Sequence, residues 1–236
     1  MSTPPAPMQA RLAQVNARIS AAAQAVSRDP SGVTLVAVSK TFDASAVLAA
    51  WAAGQHRFGE NYVQEGVDKI ERVRAAQPQA AIEWHFIGPL QSNKTRLVAE
   101  HFDWVQSVDR LKIAQRLNDQ RPAQAPPLNV LVQVNISGEA SKSGVMPAEL
   151  SALVQGIAAM PRLQLHGLMA IPEATEQAEV QARAFGAMLR LFESLRSEGG
   201  AHWDTLSMGM SSDLEAAIAA GSTMVRVGSA IFGERT

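Results

Sequence analysis

Leu35-Val36-Ala37-Val38-Ser39-Lys40 is the first strongly apolar run of the chain, and Met224-Val225-Arg226-Val227-Gly228-Ser229 is the last. Both read as strands buried on two faces, because their hydrophobic residues are nearly continuous instead of alternating with polar ones. Both also carry a cation where an apolar setting makes charge costly. Working outward from the first run, Leu12, Val15, Ile19, Ala22 and Val26 recur every three or four residues. That spacing predicts an amphipathic helix over 8–27, ended by Asp29-Pro30 and the turn at Ser31-Gly32.

The rhythm of strand then helix repeats from there. Strands are predicted at 34–38, 57–58, 82–87, 104–106, 129–135, 163–169, 205–207 and 224–227. Between them, helices are predicted to end near 51, 74, 100, 118, 159, 198 and 220. Strict alternation implies parallel strands, and eight of them match an α/β fold of the (β/α)8 TIM barrel type with one extra N-terminal helix. A doubly wound open sheet is the alternative, should the short strands at 57 and 205 be miscounted. No linker divides 8–236, so a single barrel domain is expected there, and the Ser/Thr/Pro-rich stretch 1–7 is expected to be disordered.

Composition narrows the function classes. A chain of 236 residues, 47% hydrophobic, can bury a large core, and a net charge of −1 gives no electrostatic footprint for nucleic acid. Absence of cysteine excludes disulfides and thiolate metal sites and fits a cytoplasmic protein. No apolar stretch reaches the roughly 20 residues that span a bilayer. The histidines His56, His85, His101, His166 and His202 show no i, i+4 pairing, so no metal site is expected.

In a barrel of this kind the chemistry sits at the C-terminal ends of the strands. The residues that follow the strands here include Lys40, Gly59-Glu60-Asn61, Gly88-Pro89, Asn135, Met169, Ser207-Met208-Gly209 and Gly228-Ser229. A desolvated lysine loses its proton easily and becomes a nucleophile toward aldehydes; the plainer reading of Lys40 is a rim lysine snorkelling into water. Gly228-Ser229, opening a helix, offers backbone N–H groups to an anion. Ser207–Ser211 resembles the phosphate site that barrels build after strands seven and eight, or else caps a helix before Asp213. Aldehyde plus phosphate is the chemistry of pyridoxal 5′-phosphate (PLP). His85, between Trp84 and Phe86, reads equally as a hydrogen-bonded core residue or a site residue. The pairs Glu60/Glu65 and Glu176/Glu179 read as helix-surface carboxylates, and Arg183, Arg190 and Arg196 as a solvated helix face.

Several multi-residue motifs tighten this reading. They are Val36–Lys40, Phe58-Gly59-Glu60-Asn61-Tyr62, Trp84-His85-Phe86-Ile87-Gly88-Pro89-Leu90-Gln91-Ser92-Asn93-Lys94, Ser141-Lys142-Ser143-Gly144, Gly167-Leu168-Met169, Leu206–Asp213 and Arg226–Gly233. Over nearly its whole length the chain resembles the pyridoxal phosphate homeostasis protein family, whose barrel is similar to the N-terminal domain of alanine racemase. The resemblance implies a Schiff base between Lys40 and PLP, with Arg226 facing the pyridine nitrogen. It implies phosphate contacts from Ser207, Gly209, Gly228 and Ser229, and a ring pocket lined by Asn61 and Met169. Lys142 matches a second family lysine, expected as a secondary PLP contact that captures or hands over the aldehyde; as a solvated loop lysine beside Ser141 and Ser143 it reads equally well.

The implied role is non-catalytic: a cytoplasmic monomer that holds PLP for intracellular vitamin B6 homeostasis and delivers it to apoenzymes. The alternative is a PLP-dependent amino-acid racemase. That reaction needs a base on each face of the substrate, and in alanine racemase the second is a tyrosine from an additional β-domain. With three residues after Gly233, that domain is expected to be absent, and Tyr62 is the only tyrosine. A Schiff-base aldolase would need a proton-transfer residue near Lys40, and no candidate stands out.

Overall fold

The computed structural model describes residues 7–138, 143–173, 175 and 177–233. Residues 1–6 of the stretch expected to be disordered, Ser141, Lys142 and Glu176 lie outside the described residues. The first helix, α1 (Met8–Ala25), buries Leu12, Val15, Ile19 and Ala22, the stripe predicted from their spacing. It stops one residue before Val26, which is exposed.

Eight strands follow: β1 (Thr34–Val38), β2 (Arg57–Glu60), β3 (Glu83–Phe86), β4 (Trp104–Val108), β5 (Leu128–Gln133), β6 (Leu163–Met169), β7 (Thr205–Ser207) and β8 (Met224–Val227). Helices alternate with them: α2 (Ala44–Ala52), α3 (Val63–Ala76), α4 (Thr95–His101), α5 (Leu111–Gln120), α6 (Leu150–Ala158), α7 (Ala178–Ser194), α8 (Leu214–Ala219) and the single turn α9 (Ser229–Phe232). Every strand pairs in parallel with its neighbours in chain order, and β1 pairs with both β2 and β8. Ala37 lies opposite Phe58 on one side and Val227 on the other. The barrel is therefore closed, and the open-sheet alternative is excluded.

Two environments divide the interior. The large apolar core lies between strands and helices, where Phe58, Phe86, Val105, Leu117, Val130, Ile157, Phe185 and Leu206 pack as one cluster. Trp104, Leu131 and Met169 form a separate small cluster. His85, Gln106, Ser207 and Arg226 are buried as well and join one another by hydrogen bonds. Their strands contribute alternate residues to the two sides, so Phe86, Val105 and Leu206 face the helices while His85, Gln106 and Ser207 face the barrel axis.

One sequence expectation is overturned here. Glu60 is not a helix-surface carboxylate: β2 runs two residues beyond the predicted strand and ends with Glu60 fully buried. Its Oε1 accepts from Lys69 Nζ at 2.6 Å and from Ser39 Oγ at 2.6 Å. Lys69, on α3 and also buried, donates to the Ser39 carbonyl at 2.7 Å and to Glu65 at 3.1 Å. Burial pushes the Glu60 carboxyl above its ordinary range, against the pull of Lys69. The cluster clamps the end of β1 to β2 and α3 at the residue before Lys40.

Removing one member of a buried ion pair strands the other charge, at a cost of about 3–5 kcal/mol, whereas replacing both by apolar groups is close to neutral. Lys69→Met is therefore expected to lower unfolding stability by about 3–5 kcal/mol, and Glu60→Leu/Lys69→Met to recover most of the loss, as read by urea denaturation.

Candidate functional site

The turn after β1 carries Lys40 and Thr41. Thr41 adopts φ 70°, an uncommon conformation for a β-branched residue and one that costs about 1–3 kcal/mol. Its N–H donates to Glu65 Oε1 at 2.5 Å, so the same Glu65–Lys69–Glu60 cluster that clamps Ser39 also holds the strained residue on the other side of Lys40. Beyond the turn, Asp43 caps α2 by accepting from Ala46 N at 3.0 Å, as its place in the sequence predicts.

Lys40, Asn61, Arg226, Gly228 and Ser229 line one cavity of about 500 Å³ at the C-terminal mouth of the barrel. That volume suits a cofactor-sized molecule. Phe42, Ile87, Ile171, Met210, Ser211 and Ser212 complete most of the wall. Two cations and no carboxylate stand among the described lining residues, which makes the cavity a place for an anion. Asn61 Oδ1 is buried there without a hydrogen-bond partner, an acceptor left over for a donor.

Arg226 is fully buried, and desolvation lowers its pKa to about 10. It donates from Nη1 to Ser207 Oγ at 2.6 Å and from Nη2 to the Ala170 carbonyl at 2.9 Å. No ion pair to Arg226 occurs among the described residues. A guanidinium carries five donors, so capacity remains for a group in the cavity.

On the other side of the mouth, the N–H groups of Ser229 and Ala230 head α9, where no intrahelical acceptor is available. Expected as the start of a helix whose dipole would face an anion, α9 is only four residues long, so hydroxyls and N–H groups carry more weight than the dipole. Ser229 Oγ donates to Ser211 Oγ at 3.2 Å, and Arg18 of α1 donates to the Ser211 carbonyl at 2.9 Å while pairing with Glu215 at 2.7 Å. Phe232 stacks on Phe42 at 5.2 Å, tying α9 to the turn that holds Lys40. Gly228 lets β8 close against β1, since an added Cβ would lie 3.2 Å from the Val38 carbonyl.

Three expected contact residues do not line the cavity. Ser207 is fully buried and spends its hydroxyl on Arg226 and Gln106. Gly209, at φ +98°, turns the loop after β7 where a Cβ would stand 2.6 Å from Ala217, and its carbonyl accepts from Arg226 N. Met169 packs on Trp104 and Leu131 inside the barrel. His85 is the hydrogen-bonded core residue of its two readings, fully buried between Glu83 and Gln106. Sequence reasoning missed Phe42, Ile87, Ile171 and Met210 as wall residues, because apolar side chains at a rim carry no chemical signature. Ser211 and Ser212 fall within the Leu206–Asp213 motif, and their polarity is the available signal.

A family model described as the alanine racemase N-terminal domain matches residues 11–236. A protein of Escherichia coli (strain K12) named pyridoxal phosphate homeostasis protein is 59% identical over 224 residues, covering 95% of each chain. A solved structure of PipY from Synechococcus elongatus with PLP bound has a TM-score of 0.81 at 34% identity, covering 96% of this chain and all of that one. Alanine racemase from Corynebacterium glutamicum, at 17% identity and a TM-score of 0.70 over 62% of its own length, shares the fold. With motif, barrel and cavity agreeing at this level of identity, the chain belongs to the pyridoxal phosphate homeostasis protein family.

Proposed function

We propose that this protein holds PLP at the mouth of its barrel and serves PLP homeostasis without catalysing a reaction of its own. The observation that carries the reading is the joint presence of Lys40 and Arg226 in one cavity with serine hydroxyls and no carboxylate among the described lining residues. A relative named for PLP homeostasis and a neighbour with PLP bound support it.

PLP supplies a reactive aldehyde when bound. Lys40, which lines the cavity, would be the amine that holds PLP through that aldehyde. Arg226, with donors left over after Ser207 and Ala170, would face the pyridine nitrogen, and a cation there would keep that nitrogen unprotonated and weaken the ring as an electron sink. Gly228, Ser229, Ser211 and Ser212, all on the cavity wall, would hold the phosphate through N–H groups and hydroxyls. Asn61 meets the ring. Ser207, Gly209 and Met169 act one step further back, on Arg226, on the loop after β7 and on the barrel interior. The finer role is that of a cytoplasmic monomer passing PLP to apoenzymes.

Support for a non-catalytic role comes from the wall itself. Lys40 and Arg226 are the titratable groups among its described residues, and Tyr62, 57% exposed, is not one of them. A racemase would need a second base opposite Lys40.

Addition of PLP to the apo-protein is expected to give a visible absorbance band that Lys40→Ala abolishes. Borohydride reduction followed by peptide mapping should label Lys40; labelling confined to other lysines would sink the assignment. Chiral analysis after long incubation with L-alanine should give no more D-alanine than Lys40→Ala gives. Mixing the loaded protein with a PLP-dependent apoenzyme should restore its activity faster than a pool of free PLP set by spontaneous release allows; equal rates would remove direct delivery.

A further inference from the structure

A chain of hydrogen bonds runs through the barrel interior to Arg226, and its direction can be read from both ends. Glu83 Oε1, at the opposite mouth, lies 2.9 Å from His85 Nε2. His85 Nδ1 lies 3.0 Å from Gln106 Nε2, Gln106 Oε1 lies 2.7 Å from Ser207 Oγ, and Ser207 Oγ lies 2.6 Å from Arg226 Nη1. His85, Gln106 and Ser207 are all fully buried, and Trp104 stacks on His85 at 5.3 Å.

A carboxylate only accepts, so the proton of His85 sits on Nε2. Burial lowers the pKa of His85 against the opposing pull of Glu83, which leaves the imidazole neutral and Nδ1 an acceptor. Gln106 must then present its amide N–H to His85, and its second N–H meets Met224 Sδ at 3.2 Å. That orientation leaves its carbonyl for Ser207, whose hydroxyl donates to it. Starting instead from Arg226, a guanidinium only donates, so Ser207 must offer it a lone pair and send its own proton to Gln106. Both arguments give one direction.

We propose that Gln106, seated by His85, is a positioning residue for the cofactor: it fixes the Ser207 hydroxyl so that a buried guanidinium without a carboxylate partner stays turned toward the pyridine side of the cavity. The proposal rests on the PLP reading for its functional consequence, and on the apo-protein alone for its geometry. A leucine at this position has similar bulk and neither accepts nor donates. It leaves Ser207 free to rotate and His85 Nδ1 without a donor.

The test combines nitrogen-15 NMR of the apo-protein with PLP titration of wild type, Gln106→Leu and Gln106→Glu. Wild type should show His85 as the neutral Nε2–H tautomer and separate Arg226 Nη signals, as hindered rotation requires. Gln106→Leu should merge the Arg226 signals and weaken PLP binding about tenfold, as loss of support to a charged hydrogen bond implies. In Gln106→Glu the carboxyl accepts from Ser207 and either accepts from a doubly protonated His85 or, protonated, donates to a neutral one, so the Arg226 signals should stay separate and PLP affinity should recover most of the loss.

Unchanged Arg226 signals or wild-type affinity in Gln106→Leu would overturn the proposal. Should that variant not fold, merged Arg226 Nη signals in the wild type would overturn it alone. If wild type takes up no PLP, the proposed function falls, and the Arg226 signals of the apo-proteins still decide the positioning.

Discussion

A guanidinium buried inside a barrel with no ion-pair partner among the described residues is the constraint around which the rest is arranged. Arg226 loses its water on folding and receives in return one serine hydroxyl and one backbone carbonyl. Such a charge is costly unless the groups that accept from it are hydrogen-bonded in turn, because unmade bonds in a low dielectric are expensive. The interior of this barrel meets that demand with glutamine, histidine and serine where many barrels place bulky branched residues. Stability is left to the outer layer between strands and helices, where the apolar cluster lies.

The two cations of the cavity are secured in opposite ways. Arg226 is held from the barrel axis by neutral dipoles. The turn bearing Lys40 is held from the outer layer by full charges, Glu60 against Lys69 with Glu65 at the edge. That division suits their tasks. A carboxylate beside a buried arginine would neutralise it, whereas the backbone around Lys40 is fixed by an ion pair between β2 and α3.

Much of the barrel was legible in the sequence because parallel strands are buried on both faces and so read as unbroken apolar runs. Lys40 and Arg226 stood out as charges inside such runs, and Asn61, Gly228 and Ser229 as polar or small residues just past them. The same logic failed at Glu60, since a four-residue strand ending in a charge looks like two residues of strand and the start of a helix. Lys69, nine residues on, carries no sign of burial when its helix reads as half solvated. Gln106 and Ser207 were hidden for a different reason. Their roles depend on register between β4 and β7, which pair with other strands, and no local pattern encodes which lumenal residues meet across the axis. Asn61 and Met169 were both expected at the ring; one lines the cavity and the other packs below it, a difference of depth that periodicity does not carry.

The loop after β7 leans on Arg18 from the first helix, and the last strand completes the wall beside the first. Residues at positions 18, 40, 211 and 229 must therefore meet before any pocket exists. A ribosome-bound fragment that still lacks β8 has an open seam where Gly228 and Ser229 belong. A wall shared by the first and last strands is thereby completed only when β8 pairs with β1 and closes the barrel.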